Sequence, residues 1–344
     1  MRCKYLDNQV CIRSNGQYRL CCASLESDNL ENVRTHTIEE WRNSPTHVIT
    51  RQQLENNIWP DACLKCKLDE DAGRSSQRLK TAEYGPGLTH LDLRFSNSCN
   101  LSCSMCWPGS SSKLVEEHKA LGELSPWGSL TFDLVNWYEE DLVGNLIKSV
   151  PELKEVYLTG GEPFMVKGIL DFLKKLDENV TVRFNTNGTL YNDKIFKELK
   201  RFKHVNISFS VDGIGKVNDY IRWGSTWKEI EYNINKYQEL SGFFSVSSVV
   251  QILNILYIDE LKEWVKSLNL EHYETFLLNP KHYCLYNAVD DIKNTVKGYD
   301  HIRNIEADVS EQNKFVEYTN ILDNNRNCKI RDYLPEVAKL YGIN

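Results

Sequence analysis

The chain has 344 residues, 41% hydrophobic and 26% charged, with 18 Gly and 9 Pro. That is the balance of a folded globular protein and excludes disorder or a collagen-like repeat as its main state. With 41 Lys and Arg against 48 Asp and Glu, the formal net charge of -7 disfavours a broad nucleic-acid surface.

The longest mostly apolar stretch, residues 243–256, is broken by Ser, Gln and Asn. It falls short of the roughly 20 apolar residues that cross a bilayer, so no membrane span is expected. Residues 1–7, MRCKYLD, carry no apolar run of signal-peptide length, which places the protein in the reducing cytoplasm. Eleven Cys are then unusual, because cytosolic thiols are kept mainly for metals or redox chemistry.

Six of the eleven Cys fall in residues 1–84, which read as a small loop-rich module. It opens with a hairpin: residues 9–13, a turn at Ser14, Asn15 and Gly16, then residues 17–22. A helix capped at Thr37 is expected to run through Ile38 to Trp41. From about residue 90, short β-rich runs alternate with amphipathic helical patterns. Strands are predicted at 90–95, 155–159, 180–185, 205–211, 244–251 and 272–278, with helical patterns such as 167–176 and 193–200 between them. Six βα units are too few for a closed eight-unit barrel of about 250 residues. The fold class expected is therefore α/β, an open partial (β/α)6 barrel over residues 85–290. Residues 291–344 read as two further amphipathic helices, a C-terminal extension.

Directly after the first barrel strand stands a C-x3-C-x2-C loop formed by Cys99, Cys103 and Cys106. Three close thiolates suit an iron–sulfur cluster or zinc, and three rather than four leave one coordination position open for chemistry. In zinc the open position reads as a Lewis acid that activates water; in a 4Fe-4S cluster it reads as one iron free for a small-molecule chelate.

The loop resembles the shared motif of the radical S-adenosylmethionine (SAM) enzymes, and the resemblance continues at the later strand ends. Gly160, Gly161 and Glu162 after the second strand are similar to the family's GGE motif, which receives the amino group of SAM. The third strand ends in Asn185-Thr186-Asn187-Gly188, similar to a TNG segment, with Asn185 implied at the cofactor. Ser210, Asp212 and Arg222 resemble a subgroup that modifies peptides and proteins. The likeness places Ser210 on the ribose and Arg222 on the SAM carboxylate, while Asp212 reads as a residue that shapes the loop. Leu278, after the last strand, is implied to close over adenine. The resemblance implies a 4Fe-4S cluster held by Cys99, Cys103 and Cys106, with SAM on the open iron. It also implies reductive cleavage of SAM to a 5'-deoxyadenosyl radical and hydrogen abstraction from substrate. An external one-electron reductant of flavodoxin or ferredoxin type is the partner this chemistry needs. A peptide or protein substrate is expected; a nucleotide, nucleic acid or small metabolite is the alternative, and a non-enzymatic zinc-binding protein the third.

In the N-terminal segment, Gly16 to Cys21, residues 39–44 and the Cys63/Cys66 pair resemble SPASM and twitch modules, which bind auxiliary 4Fe-4S clusters. The likeness implies Cys3, Cys21, Cys63 and Cys66 as ligands, with Cys11 as the alternative to Cys3. A closed zinc knuckle uses the same spacing. Cys284, just past the sixth strand, is expected at the barrel mouth as a hydrogen-atom donor, against the plainer reading of a small buried hydrophobe. The basic run from Lys194 to Lys203 reads as the solvated outer face of a helix rather than a phosphate-binding stripe.

Overall fold

A computed structural model describes residues 1–25, 30–71, 73, 75–80, 87–295 and 305–343. The expected module boundary at residues 84 and 85 lies outside the described residues. The strands are β1 (Gln9–Ile12), β2 (Tyr18–Arg19), β3 (His90–Leu93), β4 (Glu155–Leu158), β5 (Thr181–Thr186), β6 (Val205–Ser210), β7 (Gly242–Val250) and β8 (Glu271–Phe276). They form one sheet in the order β2-β1-β3-β4-β5-β6-β7-β8. Every neighbouring pair is parallel except the β1–β2 hairpin. All six predicted barrel strands are present, with ends shifted by a few residues.

Alternation along the strands separates two faces. Leu91, Leu93, Val156, Leu158, Val182, Phe184, Val205 and Ile207 are buried in the hydrophobic core. The opposite face carries a lateral row set by strand register, running Arg19, Cys11, Asp92, Tyr157, Arg183 and Asn206. The lumen of the open barrel is thus polar while its outer wall is greasy.

The N-terminal hairpin is where the architecture departs from expectation. It does not stand apart in a small module: β1 pairs in parallel with β3, from Gln9 opposite His90 to Ile12 opposite Leu93, and extends the barrel sheet. The connection between these two parallel strands carries helices at Ile38–Arg42, Pro45–Glu55, Leu64–Asp71 and Gln77–Lys80. The first has the expected cap: the Thr37 hydroxyl accepts from Glu40 N, and Glu40 Oε2 accepts from Thr37 N at 2.7 Å. Trp137, fully buried against Phe95, locks hairpin to barrel by donating its indole N–H to both Arg13 O and Arg94 O. Beyond β8 the described residues form helices at Asp290–Thr295, Val309–Arg326 and Pro335–Leu340. The basic run includes the Asp193–Leu199 helix, and Lys194, Lys197, Lys200 and Lys203 are exposed as expected.

Candidate active site

The cysteine loop leaves β3 and is braced on several sides. Cys99 N donates to Ser112 Oγ at 3.0 Å, and that hydroxyl donates back to Cys99 O at 3.0 Å. Ser111 Oγ donates to Leu101 O at 2.6 Å while capping the helix Ser112–Leu121. Ser102 N and Ser104 N donate to Trp223 O and Ile221 O, each at 2.9 Å. From the C-terminal extension, Arg326 Nη2 donates to Ser102 O at 2.7 Å and pairs with Glu117, both side chains almost fully buried. None of Ser111, Ser112, Glu117 or Arg326 was singled out from the sequence. The paired serines lie close behind the third Cys, but nothing local marks Arg326.

Gly160 and Gly161 meet the same loop. A side chain at Gly161 would place its Cβ 2.2 Å from Ser98 O, and one at Gly160 would lie 2.8 Å from Ser96 O with φ at +129°. Gly161 N and Glu162 N donate to Ser96 O and Ser98 O at 3.1 and 2.7 Å. These glycines are therefore needed for backbone to lie on backbone beneath the cysteines, a packing reason that precedes any cofactor.

Glu162 is 1% exposed. Its Oε1 accepts from Phe164 N at 3.1 Å and Thr186 Oγ1 at 2.8 Å, and its Oε2 accepts from Asn187 N at 2.8 Å. Burial pushes its carboxyl up to about 7, against the pull of these three donors. Oε2 keeps acceptor capacity for one further donor. Asn187, the second Asn of the TNG segment, donates to Asn100 Oδ1 at 2.9 Å and reaches Cys99 Sγ at 3.9 Å. Asn185 points the other way, into a polar lumen cavity of about 350 Å³ shared with Tyr157, Arg183 and Ser208. The end of β5 at Thr186 separates the two: Asn187 lies past the strand, where its backbone N–H is held by Glu162.

Arg222 lies buried, its Nε 2.8 Å from Asp212 Oδ2. Asp212 also accepts from Val249 N at 2.7 Å, so it anchors both the arginine and the end of β7. Ser210 is half-buried at the end of β6, opposite Ser247.

The three motif thiols share one pocket of charge. Burial raises Cys103, whose thiol also feels Cys106 and Cys99, while Arg222 works in the lowering direction. Burial likewise lifts Cys106 to about 11, and Cys99 adds to it. Among the described residues no three His, Cys, Asp or Glu side chains close around a single-ion position. Three soft thiols within one another's field, Cys99 and Cys103 buried and Cys106 half-buried, opposite one arginine nonetheless fit the anionic thiolate set of a cluster, and coordination would release their protons.

In the N-terminal part, the Cys21 thiol lies within the field of Cys3, Cys22 and Cys63, and Cys3 within that of Cys66. Cys3 and Cys63 are thus near Cys21, and Cys66 near Cys3, while Cys11 and Cys22 are within the same field. Cys11 also belongs to the lumen row, donating to Asp92 Oδ2 at 3.4 Å. Two sequence expectations are corrected. Cys284 does not face the barrel mouth: it is fully buried in the core, donating to Pro280 O at 3.3 Å. Leu278 is 61% exposed, with no packing contact that ties it to the cysteine loop.

The model of the Radical SAM superfamily matches residues 93–268, which include Cys99, Cys103, Cys106, Gly160, Gly161, Glu162, Asn187, Ser210, Asp212 and Arg222. The chain belongs to the radical SAM superfamily. Membership brings a 4Fe-4S cluster and SAM as cofactors and an iron–sulfur enzyme as the class. The GTP 3',8-cyclase of Clostridium perfringens (strain 13 / Type A) is 28% identical over 178 residues, covering 49% of this chain and 48% of its own. The sporulation killing factor maturation protein SkfB of Bacillus subtilis is 26% identical over 133 residues, covering 38% of this chain and 28% of its own. A crystal structure of Streptococcus suis SuiB bound to S-adenosylmethionine aligns at 16% identity and a TM-score of 0.45, over 88% of this chain and 66% of that one. This chain spans less than two thirds of the length of each.

Proposed function

We propose that this radical SAM protein modifies a peptide or protein side chain or backbone. Cys99, Cys103 and Cys106 would hold the cluster, and Glu162 Oε2 would accept the amino group of SAM. Bound there, the two cofactors supply one-electron cleavage of SAM and a 5'-deoxyadenosyl radical that takes a hydrogen from substrate. The chain's own residues position and enclose. Asn187 donates toward the Cys99 sulfur, Arg222 sets a positive charge beside Cys103 and Cys106, and Gly160–Gly161 hold the loop at the mouth of the lumen. Ser210 and Arg222 would meet the ribose and the carboxylate. Cys3, Cys21, Cys63 and Cys66 would hold a second, auxiliary 4Fe-4S cluster in a SPASM- or twitch-like arrangement. A flavodoxin- or ferredoxin-type donor would supply the electron.

The observation that carries the site is the meeting of the three thiols with Glu162, Asn187 and Arg222 from three different strand ends. The peptide assignment is supported by the likeness of the Ser210–Arg222 segment to peptide-modifying enzymes and by a maturation protein among the relatives. The similarity to GTP 3',8-cyclases favours a nucleotide as the second reading.

Two measurements test this. After anaerobic reconstitution, wild type should carry about eight irons per chain and the Cys99/Cys103/Cys106→Ala variant about four. With dithionite, wild type should release 5'-deoxyadenosine from SAM and Cys99→Ala should not. Zinc alone in both proteins, or equal release by both, would overturn the proposal.

A further inference from the structure

The polar lumen cavity of about 350 Å³ draws its walls from β4 to β8, and strand register arranges them in levels. Tyr157, Arg183, Asn206 and Phe243 are register partners across β4 to β7. Two residues further along the strands, Asn185, Ser208 and Ser245 are partners across β5, β6 and β7. Ser247, the partner of both Ser210 and Tyr273, stands above them. Side chains two apart share a face, so the middle level lies about 6.6 Å below Ser210 along β6.

This lining is rich in hydrogen-bonding groups and poor in net charge. Arg183 is answered by Glu155, its Nη1 donating to Oε1 at 2.9 Å, and its guanidinium lies 5.3 Å from the centre of the Tyr157 ring. Among the described residues, no hydrogen bond engages the side chains of Asn185, Asn206, Ser208, Ser245 or Ser247. Ser245 is only 3% exposed and still lines the cavity. The alternate positions of the same strands behave differently. Ser248 Oγ donates to Val211 O at 2.6 Å, and Thr186 Oγ1 donates to Glu162 Oε1 at 2.8 Å. Polar side chains on those positions are used inside the fold, whereas the Asn and Ser of the lumen keep their donors and acceptors. An apolar ligand covering such groups strands them, and a ligand of matching donors and acceptors satisfies them.

We infer that this cavity receives a primary carboxamide, the side chain of a Gln or Asn in the substrate, held by Asn185, Asn206, Ser208 and Ser245 beneath the radical site. A carboxamide brings an N–H₂ donor and a carbonyl acceptor. The wall offers two carboxamides of its own, with hydroxyls that rotate to donate or accept. A carboxylate has no donor for the two Asn carbonyls, and it brings charge to a wall whose arginine is already paired with Glu155. An aliphatic side chain answers none of these groups. The cavity lies at the small end of ligand sites, about 300–1,000 Å³, which suits one side chain with its neighbouring backbone. The inference rests on the peptide reading and names the side-chain class that the site would take.

The test uses the reconstituted full chain with SAM and acetyl pentapeptide N-methylamides, Ala-Ala-X-Ala-Ala, in which X is Gln, Glu or Leu, with GTP as a fourth probe. The N-methylamide leaves the Gln side chain as the only primary carboxamide. Calorimetry should give the Gln peptide at least a tenfold tighter Kd than the Glu and Leu peptides. Ser208→Ala and Ser245→Ala should each cut that preference several-fold, and the Ser208→Ala/Ser245→Ala double variant should bind the Leu peptide more tightly than wild type does. Lys197→Gln, on the outer face, should leave all three affinities intact. Should the serine variants fail to fold, the wild-type series decides alone. No measurable binding of the Gln peptide, equal affinity for the three peptides, tighter binding of Glu or Leu, or a full Gln preference in the double variant would overturn the inference. The peptide reading is read separately, from 5'-deoxyadenosine release. Release stimulated alike by all three peptides sinks the carboxamide pocket only, whereas release stimulated by GTP and by no peptide sinks the peptide reading and the pocket with it.

Discussion

Gly161 shows how a motif residue can be required by packing before it meets any ligand. Its missing Cβ is the space occupied by Ser98 O, a backbone atom that cannot swing aside. Gly161→Ala should therefore lift the loop that presents Cys99 and lower iron per chain after reconstitution, with a fall in Tm measured on the unloaded protein. An unchanged iron content and Tm would show that the loop yields. Two buried histidines make a pH prediction at the same scale. Burial, with Arg51 and Arg42 adding to it, holds His47 down to about 4, and burial holds His282, against Tyr283 and Tyr318, at about 4. Both folded values lie below the ordinary 6.5, so the stability they contribute is complete above about 6.5 and is lost as pH falls toward 4. The full effect is on the order of 3 kcal/mol per histidine. Glu162, pushed up to about 7, runs the opposite way, its contribution fading as pH rises through 7. The clean measurement is therefore a difference: the stability gap between wild type and His282→Gln should narrow between pH 7 and pH 5. At this scale the cysteine triplet was legible because its spacing is local. Asn187 was passed over for Asn185 because choosing between them depends on where β5 ends: Asn185 still belongs to the strand, and Asn187 lies in the turn beyond it.

Among the elements, the helix Val309–Arg326 matters more than its place at the end of the chain implies. Its last residue, Arg326, pairs with Glu117 on the helix that follows the cysteine loop and donates to Ser102 O within the loop. Both charged groups are buried, so removing one leaves the other uncompensated, at a cost of about 3–5 kcal/mol. Glu117→Ala should lower stability by that amount in urea denaturation, and the Glu117→Leu/Arg326→Met double variant should recover a large part. If the single change proves neutral, the pair contributes no more than a surface bridge. Sequence periodicity finds such a helix but not its partner, since residues 117 and 326 are brought together only by folding.

At the scale of the whole molecule, β1 is the parallel neighbour of β3, and the hairpin covers what would otherwise be the barrel's open edge. An exposed parallel edge with its hydrophobic face uncovered is prone to pair with other chains. A chain lacking residues 1–80 should therefore yield aggregated protein rather than a soluble barrel in size-exclusion chromatography. A monodisperse, helical truncation would show that the hairpin is an accessory. The same arrangement brings Arg13 and Arg19 of the hairpin to one cavity with Arg94, Trp107 and Gly160, which no inspection of the hairpin alone would reveal.

What the sequence determined by itself were the features carried by local spacing and period: six barrel strands, the capped helix at Thr37, the three cluster cysteines and the glycines that follow β4. Short-range sterics and hydrophobic alternation act over a few residues and leave their mark there. What only the tertiary structure decided were pairings over long separations: β1 with β3 and Arg326 with Glu117. The burial of Cys284 belongs with them. Each depends on which surfaces the folded sheet brings into register, and burial then fixes whether a thiol, a carboxylate or an arginine meets core, partner or substrate.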